Sequence, residues 1–375
     1  MTAAEAAERP AAGGAASARA RLTIDLDALA ANYRTLREVA AGVEVAAVVK
    51  SDGYGLGAAE VARRLRREGA RSFFVARLEE GDALRTALGD QGADIYVLDG
   101  MVVGAGRRLA AARLIPVLNT VPQVEAAVAF AAGSGAPLPC ALHIDTGMNR
   151  QGLAVEEACA IAAAPGRLAR LDVGLVMSHL GSAHDPSDPR NGEQLARFSA
   201  VRPLFPEARA SFANSGGTFL GPEYRFDMVR PGVSLYGGGP EERPDPAIAT
   251  VVRLEASVLD IRRVAAGEHL GYGSGLVLQS PTRVALLGAG YTDGIIRAAR
   301  QQGYAWLAGA RRRLLAVTMD LTIVEAGDAP VQVGEMAELL GPNVLLDDLA
   351  QAAGTVAHEV LVRLSPRAER IYLGG

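Results

Sequence analysis

The amino-acid sequence predicts an α/β protein in which a (β/α)8 TIM barrel precedes a mostly β C-terminal domain. Over the first 240 residues, apolar β-rich runs alternate with segments whose apolar residues recur three and four positions apart. A glycine- and proline-rich segment, GGGPEERPDP at 237–246, then interrupts this rhythm. With 375 residues the chain is also longer than most single hydrophobic cores, so two domains are expected.

The N-terminal residues 1–20 are rich in alanine and glycine and carry no signal-like apolar stretch, which predicts a disordered tail. After the tail, Arg21–Asp25 is typical of a short strand that leads into a helix over Leu26–Ala40. We therefore assign the barrel to residues 21–240 and the β-rich domain to residues 241–375. The first strand, 21–25, is also a candidate for packing with the C-terminal domain.

Eight further apolar runs follow the first strand within about 220 residues, as expected for a parallel sheet that is buried on both faces. This number of strands favours a closed barrel over a doubly wound sheet. The predicted strands are Val43–Val49, Ser72–Ala76, Asp94–Leu98, Leu114–Leu118, Pro137–Ile144, Leu171–Ser178, Ala208–Ala213 and Met228–Tyr236. Helical periodicity is found between them, for example at Ala58–Arg67, Val155–Ala163 and Gln194–Leu204.

Polar residues stand at the C-terminal ends of several of these runs, where barrel enzymes place their active sites. They are Lys50, Asp145, Ser178, His179, Asn214, Ser215 and Arg230.

Beyond the linker, the C-terminal domain is predicted to contain strands at Ile248–Ile261, Thr282–Leu287 and Leu314–Val324, with one helix at Leu345–Ala353.

Composition and charge exclude several classes of function. The net charge of −4 argues against a nucleic-acid surface, and no run of about 20 apolar residues predicts a membrane span. Cys140 and Cys159, the only cysteines, are predicted to be reduced and buried. We expect a cytoplasmic protein.

Lysine usage is unusual, because Lys50 is the only lysine among 38 lysines and arginines. An arginine-biased genome accounts for the arginines, and chance survival of one lysine stays open as an explanation. Unlike arginine, lysine can lose its proton and attack a carbonyl group.

Lys50 lies just after a predicted buried strand and before a glycine-rich turn, in AVVKSDGYGLG at 47–57. One alternative is a Rossmann phosphate loop, but the glycine spacing is G-x-G-x-G and the turn is too long. A surface lysine is the second alternative, and its position after the apolar run VEVAAVV weakens it. The third interpretation is a Schiff-base lysine, whose pKa would have to fall from its ordinary value of about 10.4.

The motif AVVKSDGYGLG resembles the cofactor-lysine motif of the alanine racemase family, and further family motifs follow in the same order. They are DTGMNRQG (145–152), ANS (213–215), MVRPGVSLYG (228–237), GYGSG (271–275), GYTDG (290–294) and TMD (318–320). The likeness covers about residues 21–375. It implies pyridoxal 5'-phosphate as cofactor, alanine as substrate, D-alanine supply for peptidoglycan, and a homodimer with shared active sites.

The resemblance assigns two bases to the reaction. Lys50 would carry the cofactor as an imine and act on one face of the substrate carbon, while Tyr272 from a partner subunit would act on the other. Racemisation needs a proton removed from one face and another delivered to the opposite face, which two bases satisfy. His179 resembles the histidine that hydrogen-bonds this tyrosine.

The resemblance also assigns binding residues. Arg230 resembles the arginine that faces the pyridine nitrogen and, being charged, disfavours its protonation. The predicted phosphate ligands are Tyr54, Ser215 and the backbone amides of Gly232 and Val233. The predicted substrate residues are Arg150, Met319 and Tyr291, with the last two supplied by the partner subunit.

Three positions depart from the family pattern. His143 stands where many members carry a lysine that orients the arginine matching Arg150, and Ser211 stands where a histidine is frequent. Pro366 stands where some members have a phosphate-binding tyrosine. His179, His184 and Asp185 also raise the possibility of a metal cluster, but a polar loop is the simpler interpretation and no metal is expected.

Three alternative functions are weighed against alanine racemisation. They are a related pyridoxal-phosphate decarboxylase, a racemase for another small amino acid such as serine, and a non-catalytic pyridoxal-phosphate carrier. Retention of Tyr272 and Arg230 favours the racemase over the decarboxylase, and the predicted β domain argues against a small carrier.

Overall fold

The computed structural model describes residues 19–89, 92–272 and 276–375. Its first strand, β1 (Ala20–Asp25), leads directly into helix α1 (Leu26–Ala40). The Asp25 side chain accepts hydrogen bonds from the amides of Asp27 and Ala28, which satisfies two amides that otherwise lack a partner in the first helical turn. β1 does not join the barrel but pairs with strands of the C-terminal sheet.

Parallel strands form the barrel. They are β2 (Glu44–Val45), β3 (Ala47–Val48), β4 (Ser72–Val75), β5 (Asp94–Val97), β6 (Ile115–Leu118), β7 (Leu138–His143), β8 (Leu171–Met177), β9 (Arg209–Ser211) and β10 (Met228–Val229). The segment 44–48 closes the barrel, because β2 pairs with β10 while β3 pairs with β4. Counting β2 and β3 as one strand gives eight, as predicted.

Helical segments connect the strands of the barrel, and most of them cover its outside. After α1 they are α2 (Lys50–Tyr54), α3 (Ala58–Arg67), α4 (Leu78–Leu88), α5 (Gly106–Ala111), α6 (Val121–Ser134), α7 (Val155–Ala162), α8 (Pro165–Leu168), α9 (Arg190–Val201) and α10 (Ser215–Leu220). Inside the barrel, a separate cluster of buried side chains includes Phe74, Tyr96, Leu175 and Met228, so the barrel is filled and its chemistry is confined to the rim.

The C-terminal domain is built mainly from strands. They are β11 (Val252–Val264), β12 (His269–Leu270), β13 (Leu276–Val277), β14 (Thr282–Leu287), β15 (Tyr304–Leu307), β16 (Ala310–Val317), β17 (Thr322–Glu325), β18 (Met336–Leu340) and β19 (Glu369–Leu373). Eight strands share one sheet in the order β14-β17-β16-β15-β18-β11-β1-β19. Two helices, α11 (Leu346–Ala352) and α12 (Ala357–Arg363), accompany it. The predicted fold class, a barrel followed by a mostly β domain, is confirmed.

Several predicted boundaries were wrong. The run Met228–Tyr236 is a strand only to Val229, because Pro231 and Gly232 interrupt it before a 3₁₀ turn at Val233–Tyr236. The run Leu314–Val324 contains a turn, closed by the Thr318 amide donating to the Leu321 carbonyl, which separates β16 from β17. The helix α12 was missed entirely.

Candidate active site

A cavity of about 460 Å³ opens at the C-terminal ends of the barrel strands. Its lining unites eight residues predicted from the sequence: Lys50, Tyr54, Arg150, His179, Ser215, Arg230, Gly232 and Val233. Lys50, His179 and Arg230 follow β3, β8 and β10 by one or two positions, so the parallel strands bring residues that are distant in sequence to one rim.

Lys50 begins a turn with an unusual backbone. Ser51, Asp52 and Gly53 have φ between 55° and 63°, and Tyr54 has φ of 57°, so four consecutive residues lie in the left-handed region. Left-handed geometry costs roughly 1–2 kcal/mol per non-glycine residue and is rare in succession. The surrounding contacts must therefore hold this turn in place.

Those contacts come from both domains. Glu80 accepts hydrogen bonds from the Ser51 amide at 2.8 Å and from the Ala76 amide at 2.7 Å, which ties the turn to the end of β4. From the C-terminal domain, Arg370 donates to the Gly55 carbonyl at 2.9 Å. An added Cβ at Gly55 would lie 2.9 Å from the Leu361 carbonyl oxygen, so the two domains approach each other closely at this position.

The environment of Lys50 favours a neutral amine. The side chain is half-buried, and its pKa is lowered first by desolvation and then by the positive charge of Arg150, while Glu80 opposes the shift. A lysine must lose its proton before it can act as a nucleophile or base, so this shift has the direction that the chemistry requires.

Arg230 is held rigidly in the cavity floor. It is 4% exposed and donates to the Ser211 hydroxyl and to the Ser178 carbonyl. The Ser211 hydroxyl in turn donates to the Met228 carbonyl at 2.7 Å, so Ser211 serves as a direct support of the arginine. Burial lowers the pKa of Arg230 to about 9, which leaves it charged at neutral pH.

His179 lies beside Arg230, with the Arg230 Nη2 atom 3.4 Å from its Nδ1 atom. Because a guanidinium can only donate, Nδ1 must accept, which places the proton of a neutral imidazole on Nε2. The pKa of His179 is lowered by desolvation and then by Arg230, so the neutral form is favoured. His179 therefore presents a hydrogen-bond donor to its surroundings at neutral pH.

Hydroxyl groups and backbone amides converge at the other end of the cavity. The Ser215 hydroxyl accepts from the amides of Gly232 at 3.0 Å and Ser234 at 3.3 Å. An added Cβ at Gly232 would overlap the Tyr54 hydroxyl, so only glycine allows this approach. Tyr54 is itself fixed by stacking on Tyr236, with ring centroids 4.6 Å apart. Such a set of donors suits a phosphate group.

His143 is buried at the cavity wall with a defined tautomer. The Asn119 side-chain amide donates to the carbonyls of Leu98 and Val117, so its oxygen accepts from His143 Nδ1 at 2.8 Å. Desolvation, followed by the charges of Arg230 and Arg150, lowers the pKa of His143 to about 3. A neutral imidazole thus occupies the position where a lysine was noted as frequent.

Three predicted site residues lie elsewhere. Tyr272, Tyr291 and Met319 belong to the C-terminal domain, do not line the cavity, and are 76%, 42% and 51% exposed. The motif of Tyr272, GYGSG, continues through Gly273, Ser274 and Gly275, which lie outside the described residues. Within one chain, therefore, the barrel residues are assembled and these three are not.

The cavity also contains residues that no sequence motif indicated, among them a histidine. His358 on α12 lines the cavity, and its ring centroid lies 5.9 Å from that of Tyr54. Its pKa is lowered by desolvation and then by Lys50. Pro366, which stands where some family members have a phosphate-binding tyrosine, lies beyond the end of α12 and does not line the cavity. A lone histidine in a helix gave no signal in the sequence.

The predicted burial of the two cysteines is half right. Cys140 is buried as predicted, but Cys159 is exposed, because it lies on the outward face of α7. No group of three or more histidine, cysteine, aspartate or glutamate side chains is placed to hold a metal ion within residues 19–89, 92–272 and 276–375. Over the same residues, no helix is long and apolar enough to cross a membrane.

Comparison with known proteins places this site in a family. The family model "Alanine racemase, N-terminal domain" matches residues 24–240, and "Alanine racemase, C-terminal domain" matches residues 251–372. A catabolic alanine racemase of Mesorhizobium japonicum is 43% identical over 96% of this chain and 95% of its own length. A biosynthetic alanine racemase of Agrobacterium fabrum is 40% identical over 94% of this chain and 93% of its own.

Among solved structures, alanine racemase from Bartonella henselae with covalently bound pyridoxal phosphate has a TM-score of 0.90 and 35% identity, covering 95% of this chain and 100% of that one. These matches, together with the barrel, the β domain and the lysine at the cavity rim, identify an isomerase of the barrel type. The chain belongs to the alanine racemase family.

Proposed function

We propose that this chain interconverts L-alanine and D-alanine with pyridoxal 5'-phosphate as cofactor. The observation that carries the proposal is that its only lysine, Arg230 and a set of hydrogen-bond donors suited to a phosphate group line one cavity. We further infer a cytoplasmic enzyme that supplies D-alanine for peptidoglycan. The family includes both catabolic and biosynthetic members, so the peptidoglycan role requires that this chain acts as a biosynthetic one.

The residues of the cavity fit the cofactor. Tyr54, Ser215 and the amides of Gly232 and Val233 would hold its phosphate, and the space left by the missing Cβ of Gly232 is what keeps the Tyr54 hydroxyl among these donors. Lys50 would hold the aldehyde end, and Arg230 would face the pyridine nitrogen. When bound, pyridoxal phosphate supplies an electron sink that acidifies the α-proton of the amino acid.

Arg230 would limit this sink. It is buried, still charged at neutral pH, and anchored by Ser211 and Ser178, so it cannot turn away from the ring nitrogen. A fixed cation at that position disfavours a proton on the nitrogen and weakens electron withdrawal. The expected benefit is that less of the reaction is diverted into transamination.

Proton transfer needs one base on each face of the α-carbon. Lys50, whose pKa is lowered in the cavity, suits one face. We infer that the partner subunit's Tyr272 serves the other, in a homodimer with shared active sites. The exposure of Tyr272, Tyr291 and Met319 within a single chain supports this, because side chains that act in their own cavity would line it.

Exchange of the α-proton of L-alanine in heavy water, with the chirality of the product recorded, tests the reaction. A racemase yields deuterated D-alanine and L-alanine with the carboxyl group retained. A decarboxylase would release carbon dioxide, and a non-catalytic carrier would show no exchange beyond that of free cofactor. Running L-serine in parallel decides between alanine and the larger substrate.

Mixed dimers test the shared site. When Lys50→Ala and Tyr272→Phe subunits are combined, one of the two sites in each heterodimer regains both wild-type residues, so activity should reappear. The matched control combines Lys50→Ala with Arg230→Glu, two changes in the same cavity. That pair should show no activity beyond that of Arg230→Glu alone. Heterodimers of the first pair that form and remain inactive would show that each subunit builds its own site.

A further inference from the structure

The two loops that carry Tyr291 and Met319 are docked against each other. We call Gly290–Gly294 and Thr318–Leu321 the entrance loops. The Tyr291 amide donates to the Thr318 carbonyl at 3.0 Å, and both the amide and the hydroxyl of Thr292 donate to the Met319 carbonyl, at 3.1 and 2.7 Å. An added Cβ at Gly290 would overlap the Met319 backbone. The two exposed side chains thus share one backbone unit.

A single arginine bridges the two entrance loops from a third segment. Arg367 donates through Nε to one oxygen of Asp293 at 2.7 Å and through Nη2 to the other, and its Nη1 atom donates to Asp320. Asp293 also accepts from the Gly290 amide at 2.8 Å. Arg367 therefore contacts one carboxylate from each loop. Asp320 follows Met319 by one position, and Asp293 follows Tyr291 by two.

The two ion pairs differ in burial, and burial determines how much each contributes to holding the loops. The Asp293 side chain is 2% exposed, whereas Asp320 is 58% exposed. An exposed pair contributes little, but a buried carboxylate that loses a two-point guanidinium partner is left without compensation for its charge. The bridge therefore depends mainly on the fork between Arg367 and Asp293, a geometry that lysine cannot reproduce.

We propose that Arg367 is a positioning residue that fixes Tyr291 and Met319 for the active site of the partner subunit, and thereby sets its discrimination against amino acids larger than alanine. This proposal rests on the proposed function, in which those two side chains stand at the substrate entrance. Arg367 itself touches neither substrate nor cofactor. It acts by limiting the space that the entrance loops leave open.

The experiment compares Arg367→Met with Arg367→Lys in the full-length holoenzyme. Arg363→Gln is the matched control, because the Arg363 side chain also pairs with a carboxylate, Glu359, but that pair is exposed on α12 and involves no carboxylate of the entrance loops. For each protein, KM and kcat are measured with L-alanine and L-serine. Amide hydrogen exchange is followed in peptides that cover 288–295 and 317–322.

Loosening a binding surface that does not contact the reacting bonds should raise KM and leave kcat nearly unchanged. In Arg367→Met, KM for L-alanine should rise by about tenfold. KM for L-serine should rise less, so the alanine preference falls. Exchange should accelerate in both loops. Arg367→Lys should fall between wild type and Arg367→Met, and Arg363→Gln should match wild type. A general loss of stability would reduce the amount of folded enzyme without changing KM or the substrate preference.

Two results would overturn the proposal. Unchanged exchange in Arg367→Met would show that the bridge does not hold the loops, and faster exchange with an unchanged KM and preference would show that their position does not matter to the substrate. If the wild-type protein does not racemise alanine, the proposed function fails first. Exchange alone then decides whether Arg367 holds the loops.

Discussion

The barrel cavity and the surface that carries Tyr272, Tyr291 and Met319 are built in opposite ways. In the cavity, functional side chains are fixed by neighbours of the same chain, as Arg230 is by Ser211 and Ser178. On the β domain, the three side chains are exposed and only the backbone beneath Tyr291 and Met319 is fixed. A single chain thus fixes the side chains of its cavity, whereas the proposed second base and substrate entrance would have to come from another copy.

Of all the changes in the cavity, replacing Lys50 should reduce racemisation the most. Lys50→Ala removes both the cofactor attachment and one base, so racemisation should fall by about four orders of magnitude or more. Borohydride reduction of the wild-type protein, followed by peptide mapping, should place the pyridoxyl label on Lys50.

Lys50→Arg is the matched variant, because it keeps a cation that cannot lose its proton at neutral pH. It should be as inactive as Lys50→Ala. Since no other lysine is present, a visible imine absorption band that persists in Lys50→Ala would refute the assignment.

Replacing Tyr272 should separate the two regions. Tyr272→Phe keeps the ring but removes the proton carrier, so racemisation should fall by about 10²- to 10⁴-fold. The cofactor absorption band should survive, because Lys50 and its cavity are unchanged. The measurement is the racemisation rate together with the absorption spectrum. A variant that lost its cofactor as well would place Tyr272 within the binding cavity and erase the contrast.

The sequence predicted the features that depend on a strand pattern or on one unusual residue. The order of barrel strands follows from apolar runs, and Lys50 stood out by being alone. The left-handed turn after Lys50 was not predictable, because Ser51 and Asp52 ordinarily avoid that backbone region and only tertiary contacts such as Glu80 enforce it. His358 was missed for a related reason, since its approach to the cavity depends on how α12 packs against the barrel.

Tyr272 and Met319 show the reverse case, in which the sequence indicates more than the structure of one chain. Their motifs were evident in the sequence, yet a single chain leaves them outside the cavity. For such residues the sequence motif is the only indication of a role in the site, and the assignment stays a prediction. Supporting residues such as Asn119 and Ser211 behave differently, because their residue types are common and only the hydrogen bonds to His143 and Arg230 reveal them.

A smaller and more selective change is expected at Arg230. Arg230→Glu would place a carboxylate where the pyridine nitrogen is expected, which should stabilise a proton there and strengthen electron withdrawal. Pyruvate formed per racemisation event should rise by about tenfold, measured with lactate dehydrogenase coupling. Arg230→Lys keeps the positive charge and should not increase pyruvate. A glutamate variant that racemises at the parent rate without added pyruvate would contradict the role given to Arg230.

A prediction that leaves activity at neutral pH aside concerns acid stability, and its source should be confined to the cavity. His143 is 5% exposed, and its pKa falls from about 6.5 in an unfolded chain to about 3 in the folded protein. A lowered pKa means that the unfolded state binds more protons, so this contribution to stability is complete above pH 6.5 and is lost as the pH falls toward 3.

Between pH 7 and pH 5, the contribution of His143 to the free energy of unfolding should fall by about 2 kcal/mol, given about 1.4 kcal/mol for each pH unit below the unfolded pKa. His143→Gln removes the titrating ring and can still donate to Asn119, so its urea-unfolding free energy should vary less over this range. His184→Gln is the control, because His184 is an exposed histidine at the cavity mouth. If His143→Gln and the wild type lose the same stability between pH 7 and pH 5 while His184→Gln also matches them, the buried imidazole is not the source of the acid sensitivity.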